Sequence, residues 1–153
     1  GFALYKAGRY EGAKAAFNKA LELFPERALV HGLLGRVHLA QSHPQEALAE
    51  AATEPHPALR LFGLALAYHA LGREKESEAS LSELIQKFQD DAQYQIAMGY
   101  GFRRDDNRAF AWLERAYAQH DVGLSDIKGN PLLRNLEPDP RYAALLKKMR
   151  LPL

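Results

Sequence analysis

Cysteine is absent from the chain, and with it every disulfide, thiolate nucleophile and thiolate metal site. That absence leaves the compartment open. Cytoplasmic is the first expectation, and periplasmic the alternative if a larger parent protein carries an upstream membrane anchor. A run of about eighteen apolar residues is also missing, so no segment reads as a bilayer-spanning helix. The sequence opens at Gly1 with neither Met nor a charged-then-apolar leader, and reads as a piece of a longer protein. An excess of one charge is lacking as well. The net charge is +1, so no strong overall field draws the chain to nucleic acid or to a membrane surface.

Signatures of catalysis are missing too. Gly99-Tyr100-Gly101 lies inside a helical pattern and lacks the Lys-Ser/Thr that follows a phosphate cradle. Of the six histidines, His31 and His38 are seven apart with no acid on the same helix, which is not the spacing of metal ligands on a helix. His38 is expected to pack. Asp90-Asp91 and Asp105-Asp106 fall at expected helix starts, where carboxylates favour the helix dipole and cap free N–H groups. No catalytic residue, metal or cofactor is expected, and the chain is not read as an enzyme.

What the sequence does hold is helical periodicity. Hydrophobic residues make up 47% and charged residues 25% of 153 residues, enough for one domain with a real core. Apolar and small residues recur at three- and four-residue steps through Ala13, Ala16, Phe17, Ala20, Leu21 and Phe24, and Pro25 stops that helix. The same reading places helices over Arg27 to Ala40, Gln45 to Thr53, Ala58 to Ala70, Glu74 to Phe88, Asp91 to Phe102 and Arg108 to Gln119. Turns fall at Gly8, Ser42, Gly72 and Arg104, at spacings of 34, 30 and 32 residues. The short middle step comes from the short helix around Gln45 to Thr53.

Gly8-Arg9-Tyr10, Ala13, Phe17, Ala20-Leu21 and Pro25 resemble the second half of a tetratricopeptide repeat. Leu34-Gly35 with Ala47 and Ala51, Leu64-Ala65 with Tyr68 and Gly72, and Ile96-Ala97 with Tyr100, Ala109, Leu113 and Ala116 are weaker copies. His38 stands where the family has Tyr. The resemblance implies an all-α superhelix, a solenoid of antiparallel helix pairs, with three to four repeats over residues 1–120, the first truncated. Residues 121–153 mix turns with large apolar side chains. They are expected to form a cap segment on the last repeat, with a capping helix from Arg141 to Met149. Together with Ala109 to Tyr117, this tail resembles the closing segment of bacterial multidomain signalling proteins, which join repeats to kinase, nucleotide-cyclase or winged-helix domains. The basic run Arg141, Lys147, Lys148 and Arg150 reads as a solvated helix face suited to the negative end of the helix dipole, rather than as a nucleic-acid patch.

The family implies a protein-protein interaction module, the docking or sensor part of a larger signalling protein, with a concave groove lined by the first helix of each repeat. Carried across, the groove falls on Phe2, Tyr5, Lys6, Leu29, Leu33 and Arg36, then Leu59, Phe62, Leu66 and His69, then Asp91, Tyr94, Gln95, Met98 and Phe102. About half of the aromatics are expected in the inter-repeat core. The others are expected to form an exposed apolar groove, and Phe2, Tyr5, Arg36, Phe62, Leu66, His69, Tyr94, Met98 and Phe102 are the named candidates. Lys6 and Arg36 are its only cations, so no carboxylate clamp is implied. The expected partner is a protein or peptide, with an amphipathic helix as one form. Nucleic acid and membrane are not expected partners. Self-association, as a homo-oligomer or by packing on the parent chain, is the alternative.

Overall fold

The computed structural model describes residues 1–153, all helix and turn with no strand. Nine α-helices follow in order: α1 Phe2–Lys6, α2 Tyr10–Leu23, α3 Val30–Ala40, α4 Pro44–Thr53, α5 Pro57–Ala70, α6 Glu74–Phe88, α7 Gln93–Phe102, α8 Asp106–Ala118 and α9 Pro140–Lys148. Two 3-10 segments, Val122–Asp126 and Pro131–Leu136, separate α8 from α9. No helix is long and apolar enough to cross a membrane. The chain divides into two compact units, Gly1–Lys87 and Phe88–Leu153.

One local device builds every helix pair. Gly8, Ser42, Gly72 and Arg104 all have positive φ, at 77°, 62°, 76° and 60°. These are the four turn positions read from the sequence. At each, the next residue's N–H reaches back five residues: Arg9 to Leu4, His43 to His38, Arg73 to Tyr68 and Asp105 to Tyr100, all at 2.8–2.9 Å. This is a Schellman ending, in which a left-handed residue lets the chain satisfy the last helical carbonyls and reverse. Glycine adopts it without cost, whereas Ser42 and Arg104 carry some strain. The second helix of each pair then presents a small residue four positions after its cap: Ala13, Ala47, Ser77 and Ala109, each at most 1% exposed. Ser77 is polar, and its hydroxyl donates to the Ala65 carbonyl at 2.7 Å, so its burial leaves nothing unsatisfied.

In the first unit, α1 packs on α2, α2 on α3, α3 on α4, and both α3 and α4 on α5. Tyr5, Phe17, Val30, Leu33, Leu34 and Val37 form one core cluster, with Phe2, Tyr10 and Leu21 packed around it. Each such side chain contributes about 1.5–3 kcal/mol when fully withdrawn from water. Helix α3 starts at Val30 rather than Arg27 because Leu29 has φ 80° and cannot continue a right-handed helix. Its free N-terminal groups are met from the α4–α5 linker. Glu54, 1% exposed, accepts from Leu29 N at 2.9 Å and Gly32 N at 3.1 Å.

In the second unit, α7 packs on α8, and the 3-10 segments and α9 pack on these two. Ile127, Leu132, Leu133, Leu136, Leu145 and Leu146 are buried. Helix α9 is held to α8 by cation–aromatic contacts: Arg141 over Phe110 at 4.4 Å and Lys148 over Tyr117 at 5.0 Å. Arg141 also donates to Asn107 at 2.9 Å, and Lys148 pairs with Glu114. Two members of the basic run therefore serve packing within this unit. Asp105 caps α8 through Arg108 N, as expected. Asp90 and Asp91 do not cap α7; the carboxylate there belongs to Asp121, which accepts from Tyr94 N at 3.2 Å.

Candidate functional site

Counting back from each left-handed turn residue gives a common register for the first helix of each pair. Ten, six and three residues before Ser42 stand Gly32, Arg36 and Leu39; before Gly72 stand Phe62, Leu66 and His69; before Arg104 stand Tyr94, Met98 and Gly101. The fate of these positions differs between the two units.

In the first unit, five of the six meet at one apolar cleft. Gly32, Arg36, Leu39, Phe62 and Leu66 line it, with Leu29, Leu59, Gly35, Gly63, Ala47 and Ala51. Glycine and alanine at its walls let α3, α4 and α5 approach closely. The enclosed space is only about 10 Å³, room for a single water. The floor is buried Phe62 and Leu66; the rim is Leu29, 42% exposed, with half-buried Leu39 and Leu59. Arg36 is buried and lies with its guanidinium carbon 5.1 Å from the Phe62 ring centroid. His69, half-buried, is at the edge of this register with Nδ1 2.7 Å from Glu74. Phe2 and Tyr5 are elsewhere in the unit. Tyr5 is fully buried in the core cluster, and Phe2 packs at its margin with ring centroids 6.0 Å apart.

In the second unit, Tyr94 and Met98 are 3% and 2% exposed, so neither side chain presents an open aromatic surface. Both lie under Asn130, whose amide donates to Tyr94 Oη at 2.7 Å and to Met98 Sδ at 3.2 Å. Phe102 is half-buried. The expectation of exposed anchors is corrected at Tyr94 and Met98, which the chain's own tail covers, and at Tyr5, Phe62 and Leu66, which are at most 4% exposed and belong to the packed interior of the first unit.

Three polar residues that the periodic pattern did not single out hold these surfaces in place: Glu54, Asp121 and Asn130. Glu54 and Asn130 each precede a proline, which forces extended backbone and frees the side chain to turn back onto a helix. That dipeptide was the one available signal. Asp121 carries none. His31 Nδ1 lies 2.7 Å from Glu50. His38 is held below its usual pKa chiefly by burial, with Glu50 opposing, and its Nδ1 has no hydrogen-bond partner.

Comparison with known families places this geometry. Residues 2–59 and residues 61–90 match two family models, each described as tetratricopeptide repeat. No curated protein and no solved structure matches the chain. The matched segments cover α1 to α6 with their left-handed turns and small-residue contacts, and the chain belongs to the tetratricopeptide repeat family.

Proposed function

We propose that the first unit binds a polypeptide across the cleft between α3 and α5, the partner laying apolar side chains on Leu29, Leu39 and Leu59 above Phe62 and Leu66. Tetratricopeptide repeats generally mediate protein–protein interaction. The observation that carries the finer reading is the lining: apart from the Arg36 guanidinium the cleft is apolar, and that cation is already stacked on Phe62. A ligand here gains by burying side chains rather than by pairing charge. An amphipathic helix or an apolar extended segment fits that chemistry. The tail pattern supports a place as the docking or sensor part of a larger bacterial signalling or regulatory protein.

The test is capture of a binding polypeptide on the immobilised chain, compared with Leu59→Glu, which puts a charge on the rim, and Lys19→Glu on an exposed face. Loss with the first and retention with the second is the expected result. Equal capture by both overturns the cleft as the site.

A second reading is favoured by a different observation. Leu23 and Phe24 are 63% and 58% exposed, around an open hollow completed by Pro25, Glu26 and Arg27. Such a patch suits self-association. Mass in solution separates the two: a monomer at all concentrations supports polypeptide binding, and a dimer abolished by Phe24→Ser supports self-association.

A further inference from the structure

We propose that residues 121–136 are a built-in ligand of the α7 face, a strap that occupies within the chain a surface able to receive a leucine-rich polypeptide segment. The inference builds on the cleft reading above, because the α7 face carries the same register positions as that cleft. In the first unit five of the six corresponding positions line a cleft. In the second, Tyr94, Met98 and Gly101 lie beneath the strap.

The strap reads α7 as a peptide reads a groove. Helix pairs in this chain meet mainly through small residues and apolar side chains, with single polar contacts such as Ser77 to the Ala65 carbonyl and His31 to Glu50. The strap instead uses polar side chains at the start, middle and end of α7. Asp121 accepts from Tyr94 N at the helix start. Asn130 spends both amide hydrogens, on Tyr94 Oη and Met98 Sδ, while its Oδ1 accepts from Leu132 N at 3.0 Å. Asn135 donates to the Gly101 carbonyl at 3.0 Å and to Asp106 at 3.2 Å. Between these anchors the Leu133 side chain packs directly on Gly101 of α7. A Cβ on Gly101 would stand 2.7 Å from Leu133 Cδ2. The strap has no α-helix of its own, only two 3-10 segments. Pro131 opens the second of them and pre-sets its backbone, which lowers the cost of ordering.

A ligand-like strap opens separately from the helices beneath it, whereas ordinary core opens with them. Hydrogen exchange on the full chain decides between the two. The amides of Gly123, Leu132 and Leu133 are expected to exchange at least about tenfold faster than those of Leu113 and Ala116 in α8. Asn130→Ala is expected to speed the strap about tenfold more and to leave α8 unchanged. A synthetic peptide copying residues 121–138 is expected to ignore the wild-type chain and to bind Asn130→Ala. It should not bind when Gly101→Leu is added to block that contact. Asn130→Asp, which keeps the shape and removes both amide donors, is expected to behave as Asn130→Ala does. Exchange of strap and α8 amides in one cooperative step overturns the proposal, as does a peptide that binds neither Asn130 variant. None of these measurements involves a partner at the unit 1 cleft, so their failure leaves that reading standing, and its failure leaves them standing.

Discussion

Gly63 and Ala51 bring α5 and α4 to backbone contact: a Cβ added at Gly63 would stand 2.9 Å from the Ala51 Cβ and 3.5 Å from its Cα. Ala51 is 2% exposed and its only side-chain atom is fixed to a helix, so it cannot give way. Gly63→Ala gains roughly 1 kcal/mol of helix propensity but forces the two helices apart, at about 1–3 kcal/mol. The expected outcome is net destabilisation, read as a lower urea midpoint. A variant as stable as the wild type, or more stable, means that the helices separate without cost.

Glu54 accepts hydrogen bonds from Leu29, Gly32 and His56 while 1% exposed. Glu54→Ala leaves those donors in a space with no acceptor, at about 1–3 kcal/mol. Glu54→Gln keeps an acceptor oxygen and should recover part of the loss. Chemical denaturation of both variants checks the order. The α3 amides near Gly32 should also lose exchange protection first, because the missing cap belongs to that helix end.

The helix pairs were legible because their signal is periodic. Gly8, Ser42, Gly72 and Arg104 could be placed where the helical patterns break, even where the residue was Ser or Arg, and all four are left-handed. The same regularity aligned Ala13, Ala47 and Ala109 as matching positions of the repeat, and the structure adds Ser77 to them. Surface identity was less legible. Tyr94 and Met98 occupy the register of the unit 1 cleft, and nothing in that register tells that Asn130, 36 and 32 residues downstream, covers them. Glu54 and Asp121 escaped for the same reason. A single buried polar residue in a linker has no period, and its role exists only once the chain has folded back.

His38 links stability of the first unit to pH. It stands four residues before Ser42, where the later repeats carry Tyr68 and Tyr100. Burial lowers its pKa from the ordinary value of 6.5, with Glu50 and Glu46 opposing and Lys14 and His43 adding. A histidine with a depressed folded pKa is kept neutral by the fold while the unfolded chain still takes up a proton. Its contribution is therefore complete above the unfolded pKa of about 6.5, and is lost as pH falls toward the folded value. The unfolding midpoint of the wild type should drop below about pH 6.5. His38→Tyr, the residue of the later repeats, should flatten that part of the profile. An unchanged slope would assign the acid sensitivity to another group.

Partner binding at the α3–α5 cleft should depend on apolar area and hardly at all on salt. Arg36 is the cation of that lining, and its guanidinium faces the Phe62 ring at 5.1 Å, buried where mobile ions screen little. Leu39→Ala and Leu59→Ala each remove a half-buried rim side chain and should weaken binding by about 1–2 kcal/mol if they flank a central contact, with little change in melting temperature. Phe62→Ala should cost on the order of 2 kcal/mol in binding and also lower stability, since Phe62 is 4% exposed. Calorimetric titration at low and high salt reads both effects. Acidic C-terminal peptides should bind poorly, because a single stacked guanidinium cannot replace a clamp of several cations. A steep fall in affinity with salt, with no effect from either rim substitution, would move the site away from the cleft to the basic turn formed by Arg103, Arg104 and Arg108 or to the tail.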